Sequence, residues 1–339
     1  MRLCRVLGCA TIALAVWLWP VPAVPASARL VNGDVIRPAL LRRDASVSSR
    51  RPPPQGYFKL KPVGSWSTLP ADRICAGRVH RSAWEPRTQN RRQNHTMPSI
   101  GAVHRAFASR RRATGGSYAH KWDTWLLPRV SGHFTGTTDE IFQWAACKWG
   151  LSDNLLRAIA VRESTWYQFL HFRDGSIYPD RGSGDYFSSG DAQSSIYCNF
   201  VARFGHDYQS DMGAGLCPRT FSIVGVMSWE DPSWGRWPSN QNGTFPFNRD
   251  STAFALDYLG GELRGCFEGW EHWLGDGGRG YRAGDIWGCV GEWYAGAWHT
   301  GAANDYIAKV RTEFARRIWL RTSFRHGQFH CDPVKGCPV

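Results

Sequence analysis

The chain is 339 residues long, carries a formal net charge of +13 and contains 18 Trp, 11 Tyr and 17 Phe. Beyond residue 28 no apolar stretch reaches the ~20 residues that a membrane-spanning helix needs, which excludes a stable membrane span. Charge is uneven: residues 29–132 hold 20 Lys and Arg against 5 Asp and Glu, and residues 133–339 hold 19 against 23. The basic part indicates an anionic partner or, alternatively, a solvated tail.

The N-terminus has the parts of a secretory signal peptide. MRLCR supplies positive charge, an apolar run extends from Val6 to about Val24, and Ala26-Ser27-Ala28 offers small residues for cleavage. Three prolines interrupt the run before it could span a bilayer. We therefore interpret residues 1–28 as a signal peptide and predict a secreted, extracellular protein. For such a protein, anionic cell-wall polymers or lipid headgroups are more accessible partners than nucleic acid.

Composition divides the mature chain into four parts. Residues 29–56 are basic and proline-rich, which predicts a disordered linker. Residues 57–132 show no sustained periodic spacing of apolar residues. We interpret them as a basic extension that packs partly on the main domain. Helical patterning dominates residues 133–320, and residues 321–339 form a cysteine-containing tail.

The main domain is predicted to be mainly α. Thr137 and Glu140 form a capping box at the start of the first helix, which Gly150 ends. Apolar spacing predicts the remaining elements: a helix from Ser152 or Asp153 to about Trp166, a long loop over residues 171–219, an extended segment in 220–229, a helix from Asp250-Ser251 towards Leu274, a short segment Ile286 to Trp293, and a helix from about Ala302 to Trp319.

The spacing of the cysteines and acidic residues does not match that of common metal sites. Eight cysteines follow the signal peptide: Cys75, Cys147, Cys198, Cys217, Cys266, Cys289, Cys331 and Cys337. An even number in an exported chain predicts disulfides, whose pairing the spacing leaves open. Zinc would need closely spaced Cys and His pairs such as CxxC, and the sequence contains no CxxC pair. The Asp-rich segment 174–185 lacks the spacing of an EF-hand calcium loop. We expect no metal and no cofactor.

Glu163 is the residue whose position suggests chemistry. Leu156, Ile159 and Glu163 are spaced by three and four and share one face of the second helix. A carboxyl group on a core-facing stripe near a helix C-terminus is expected to have a raised pKa. Such a group can act as a general acid in glycosidic cleavage. The alternative is an ion pair with Arg157 or Arg162.

Three segments resemble the soluble lytic transglycosylase and goose-lysozyme group of the lysozyme-like superfamily, in its secreted actinobacterial type. TTDEIFQWAACKWGLSDNLLRAIAVRESTWYQ (residues 137–168) is similar to the opening helices, where a helix ends in Glu-Ser. CPRTFSIVGVMSWEDP (217–232) resembles the segment that lines the cleft. WGCVGEWYAGAWHTGAANDYIAKV (287–310) resembles the Ala-Tyr-Asn-x-Gly segment and the Tyr-containing helix after it.

The resemblance implies a lysozyme-like helical fold and cleavage of the glycosidic bond in peptidoglycan glycan strands. It implies these residue roles: Glu163 as acid and then base, Ser164 as support for the helix end, Tyr294 beside the acid, and Met227 and Trp229 in the sugar cleft. Trp166 is expected in the core instead.

Two departures from the family pattern leave alternatives open. The family's central Gln is replaced by Gly225 or Ser228, depending on register, and Ala295 stands where Asn is expected. A non-catalytic wall-binding protein and a chitin- or chitosan-cleaving enzyme therefore remain alternatives. Hydrolysis would need a second carboxylate, with candidates Asp185, Asp191, Asp207 and Asp211. Attack by the substrate's own hydroxyl, giving an anhydro-sugar end, would not.

Overall fold

The computed structural model describes residues 50–113, 120–168, 190–229, 239–276 and 278–326, and these are mainly helical. The predicted signal peptide, segment 174–185, Cys331 and Cys337 lie outside the described residues. The helices are α1 (Asp72–Arg78), α2 (Arg91–Asn94), α3 (Ile100–Ala113), α4 (Leu127–Arg129), α5 (Thr138–Trp149), α6 (Asp153–Ser164), α7 (Ala192–Ala202), α8 (Tyr208–Met212), α9 (Phe247–Asp250), α10 (Thr252–Phe267), α11 (Trp273–Asp276), α12 (Ile286–Ala295), α13 (Gly301–Arg316) and α14 (Thr322–His326).

Five helices surround the main core in a closed order of neighbours. α5 packs against α6, α6 against α13, α13 against α12, α12 against α10, and α10 against α5. The predicted apolar positions Leu156, Ile159 and Val310 lie fully buried between them. The prediction of a mainly α chain is therefore confirmed for the described residues.

Local signals set the ends of α5 as predicted. The Thr137 hydroxyl accepts from the Glu140 N–H, and the Glu140 carboxylate accepts from the Thr137 N–H, which completes the capping box. Gly150 ends the helix in the left-handed conformation, with φ 61°. Glycine is favoured there because it has no Cβ to clash with the backbone.

A close contact between α5 and α10 explains why α10 contains adjacent glycines. A Cβ on Gly260 would lie 2.2 Å from Cδ1 of Trp149. The Trp149 indole N–H donates to Asp257 Oδ1 (2.7 Å), and Lys148 Nζ lies 2.7 Å from Asp257 Oδ2 and 2.7 Å from Asp72 Oδ1. The glycine thus lets α10 approach the indole, and a buried ion pair joins the same two helices.

Residues 50–56, which composition assigned to a linker, contact the helical domain instead. Asn154 Nδ2 donates to the Pro54 carbonyl (2.9 Å), and Ser82 Oγ donates to the Arg50 carbonyl (2.8 Å). Proline restricts the backbone before folding, so a few such hydrogen bonds are enough to hold the segment. Composition alone does not reveal these partners.

Residues 57–132 also contain more regular structure than predicted. They form α1 to α4, and Cys75, Val103 and Phe107 belong to the same core as the five central helices. Three of these helices have at most seven residues, which is too short to show a period in the sequence.

The predicted loop 171–219 is helical in its second half. α7 and α8 lie there, and their residues Tyr197, Cys198 and Tyr208 form a second, smaller core. The extended segment within 220–229 is a two-stranded antiparallel hairpin, β1 (Thr220–Phe221) and β2 (Val226–Met227). The buried face of α7 carries Tyr197, Cys198 and Val201, but Ile196 on another side of the helix is exposed, so the apolar residues do not form one stripe.

Three disulfides connect the described cysteines. They are Cys75–Cys147 between α1 and α5, Cys198–Cys217 between α7 and the segment after α8, and Cys266–Cys289 between α10 and α12. The prediction that cysteines of this chain form disulfides is confirmed for these six. Within the described ranges no helix has both the length and the apolar character needed to cross a bilayer.

Candidate functional site around Glu163

Glu163 lies in the last turn of α6, where the helix meets a sharp turn. Its side chain is half-buried, whereas Leu156 and Ile159 on the same face are fully buried. Thr165 and Trp166 follow with φ of 52° and 66°, a pair of left-handed residues that are not glycine. Such residues cost of order 1–3 kcal/mol each and persist only where surrounding contacts hold them. α6 therefore ends at Ser164, earlier than predicted.

The N-terminal part of the chain supplies the contacts that hold this turn. Arg87 Nε donates to the Thr165 carbonyl (2.8 Å), and Asn90 Nδ2 donates to the Trp166 carbonyl (2.7 Å). Burial lowers the pKa of Arg87 to about 10, so the guanidinium is still charged at neutral pH. Trp166 is fully buried, in agreement with its expected place in the core. Residues far from Glu163 in sequence thus fix the backbone beside it.

Tyr306 of α13 makes a direct contact with the Glu163 carboxylate. Its hydroxyl donates to Glu163 Oε1, and only 4% of the residue is exposed. Burial raises the pKa of the Tyr306 phenol well above 10, and the negative charge of Glu163 raises it further. The phenol therefore stays protonated and remains a hydrogen-bond donor at any pH where the protein would work.

Tyr294 packs against the tyrosine that contacts Glu163. Its ring stacks on that of Tyr306 with centroids 4.6 Å apart and an angle of 3° between the planes. Tyr294 is 60% exposed. The tyrosine that hydrogen-bonds Glu163 is thus Tyr306, and Tyr294 presents an aromatic face beside it. Tyr306 was within the matched Tyr-containing helix, and that match is the signal by which it could have been found.

The turn of the hairpin between β1 and β2 is anchored to both α6 and α12. Ser164 Oγ donates to the Ile223 carbonyl (2.7 Å), and Trp293 Nε1 donates to the Val224 carbonyl (3.1 Å). Gln168 is buried, and its Oε1 accepts from the Ile223 N–H (3.1 Å). Ser164 therefore links the end of α6 to the hairpin turn.

Met227 and Trp229 differ in their exposure. Met227 is half-buried in β2, and its carbonyl accepts from Thr244 Oγ1 (2.9 Å). Trp229 is completely buried and stacks on Tyr197 with centroids 5.3 Å apart. Trp229 thus belongs to the smaller core, and its ring is not open to a sugar in this conformation. An alternating apolar strand does not by itself reveal which face is covered.

The two arginines considered as partners of Glu163 have different surroundings. The Arg157 guanidinium lies against Asp139 and Asp153, at 2.8 and 2.7 Å, and is fully buried. An ion pair between Arg157 and Glu163 is therefore excluded. Arg162 is half-buried and acts electrostatically on the Tyr306 phenol, so it is a positive charge near the Glu163 site.

Two of the four candidate second carboxylates, Asp191 and Asp207, have described side chains, and both cap helices. The Asp191 carboxylate caps α7 by accepting from the Ser194 N–H (2.7 Å), and Asp207 caps α8 by accepting from the Gln209 N–H (3.1 Å). Asp185 lies outside the described residues, as does the side chain of Asp211. Capping explains why aspartates occur at these positions.

Comparison with known proteins gives no match: no protein-family model, no curated protein and no solved structure matches this chain. Glu163 and its contacts are therefore the basis for inferring the chemistry of the site. A half-buried carboxyl group with a neutral phenol donor can exchange a proton with a bound molecule. An exposed aromatic ring next to it can stack on a flat sugar face.

Proposed function

We propose that this chain is a secreted, cell-wall-associated enzyme that cleaves the β-1,4 bond between N-acetylmuramic acid and N-acetylglucosamine in peptidoglycan, with Glu163 as general acid and then base. The observation that carries the proposal is the contact of the Tyr306 hydroxyl with the half-buried Glu163 carboxylate at the end of α6. The resemblance of three segments in the same order supports a lysozyme-like fold for the domain.

The proposed reaction begins with protonation of the glycosidic oxygen by Glu163. Bond cleavage leaves positive charge on the sugar ring, and the Glu163 carboxylate then removes a proton from the attacking hydroxyl. Tyr306 orients the carboxylate and, being neutral, adds no charge that would oppose the sugar cation. Tyr294 offers an exposed ring for stacking.

The attacking group is proposed to be a hydroxyl of the substrate itself, which gives an anhydro-sugar end. Asp191 and Asp207 support this choice because both carboxylates cap helices rather than remaining available to activate water. A hydrolytic product would require a second carboxylate near the bond.

We further propose that the basic N-terminal part increases affinity for anionic cell-wall polymers. Arg73, Arg78 and Arg105 are exposed, whereas Arg87 and Arg110 are buried and serve the fold. Exposed positive charges attract anionic polymers electrostatically, and dissolved salt weakens this attraction by screening. Binding to purified walls should therefore weaken as ionic strength rises.

The test is lysis of purified cell walls by the wild type and by Glu163→Gln, which keeps the shape of the side chain. Loss of the acid should lower the rate about 10²–10⁴-fold, while the melting temperature stays within a few degrees. Mass spectrometry of the fragments should show anhydro ends. Equal rates for both proteins, or wall binding without lysis by either, would favour a non-catalytic glycan-binding protein. Cleavage of chitin oligomers but not of cell walls would show that the substrate is chitin rather than peptidoglycan.

A further inference from the structure

Three glutamates converge beside the Cys266–Cys289 disulfide, on the α10 and α12 side of the domain. Glu262 precedes Cys266 by four residues in α10, so both lie on one face of that helix. Glu292 follows Cys289 by three residues in α12 and shares a face with it. The disulfide brings these two faces together. Glu271, from the segment after α10, completes the group.

Glu271 is the buried member of this acidic cluster. It is 1% exposed, and neither of its carboxylate oxygens has a hydrogen-bond partner in the part of the chain that the structure describes. Its backbone N–H donates to the Tyr281 hydroxyl (3.1 Å), which in turn donates to the Cys266 carbonyl (2.8 Å). The backbone is therefore fixed, and the carboxylate is left facing the cluster.

The distances between the acidic groups suit a cation between them. An oxygen of Glu271, an oxygen of Glu292 and the sulfur of Cys266 all lie within 4.8 Å of one another. Two oxygens that each lie at 2.3–2.6 Å from a calcium ion are separated by up to about 5 Å.

The surroundings of Glu271 are acidic, because Glu292 and Glu262 both act electrostatically on its carboxyl group. A buried carboxylate is costly unless it is paired or bound to a metal. A cation in the cluster would supply a partner for the Glu271 carboxylate.

We propose that Glu271 and Glu292, with Glu262 beside them, form a binding site for a hard divalent cation of the calcium class. Carboxylate oxygens are the ligands that calcium prefers, and water can complete its coordination. The Cys266 sulfur is in a disulfide, so it offers no thiolate to attract a softer metal such as zinc. The bound ion would tie the segment after α10 to α12. This site is independent of the proposed activity at Glu163.

Thermal unfolding of the chelator-treated protein tests the site. Calcium at about ten times its Kd should raise the wild-type melting temperature by about 3–5 °C. Glu271→Gln should abolish the shift. Glu313→Gln is the matched control, because Glu313 is also buried (3% exposed) and one of its oxygens has no hydrogen-bond partner among the described residues, but arginines rather than glutamates act on it. That variant should keep the full shift.

A direct measurement covers the case in which Glu271→Gln does not fold. Terbium added to the wild-type protein should give luminescence sensitised by tryptophan, since Trp270 is the neighbour of Glu271 in sequence. Calcium should displace it, and Glu292→Gln should weaken it at least tenfold. The proposal is overturned if calcium leaves the wild-type melting temperature unchanged, if Glu271→Gln keeps the shift, or if terbium gives no calcium-sensitive signal.

Discussion

Replacing Tyr306 by phenylalanine removes one hydroxyl group from the Glu163 site and leaves the ring in place. That hydroxyl donates to Glu163 Oε1, and the ring is buried and stacked on Tyr294 at 4.6 Å. Stacking and burial of the ring survive the change. The variant therefore isolates the effect of the hydrogen bond on the carboxylate.

The expected size follows from the charge of the acceptor. A hydrogen bond to a charged group contributes about 1.5–3 kcal/mol. If this energy is needed to hold the carboxylate in its reactive position, loss of the Tyr306 hydroxyl should lower kcat about 10- to 150-fold, at 1.36 kcal/mol per factor of ten. KM should change little, because the buried hydroxyl is not open to substrate.

The assay is the rate of wall lysis at matched substrate concentrations, together with thermal unfolding. Tyr294→Phe is the matched control: it removes the hydroxyl of the adjacent stacked ring, which is 60% exposed. We expect a change of less than about threefold for this control. If Tyr306→Phe and Tyr294→Phe lose the same activity, or if neither loses any, the Tyr306 hydrogen bond does not support catalysis.

Two further predictions concern stability. Asp257→Asn should destabilise the fold by about 3 kcal/mol in urea unfolding, because it removes a charge that lies 2.7 Å from the buried Lys148 ammonium; an effect below 1 kcal/mol would contradict this. Hydrogen bonds to Asn304 and Asp285 raise the pKa of His299 above 6.5. A raised folded-state pKa contributes stability below pH 6.5, and this contribution is lost as the pH rises through the folded pKa. The free energy of unfolding should therefore fall over that window in the wild type, and His299→Gln should flatten the decrease; parallel profiles would show that His299 is not its source.

The elements predicted best from sequence are those with signals carried by neighbouring residues. α5 begins at the Thr137 capping box and ends at Gly150, as its sequence indicates. The core-facing positions Leu156 and Ile159 follow from helix periodicity in the same way. The weakest predictions concern residues 50–132. There, short helices and a proline-rich segment are held in place by contacts with residues elsewhere in the chain.

Sequence by itself thus determined that the chain is mainly helical, that its cysteines form disulfides and that Glu163 shares a face with apolar residues, because each property depends on composition or on residues within one helix. Only the tertiary structure decided that Tyr306 contacts Glu163 and stacks on Tyr294, that Trp229 is buried, and which cysteines pair. The Tyr306 contact depends on how α6 and α13 pack, the burial of Trp229 on the smaller core around α7, and the pairing of the cysteines on contacts such as those of α1 with α5 and of α10 with α12. In each case packing joins residues that are far apart in sequence.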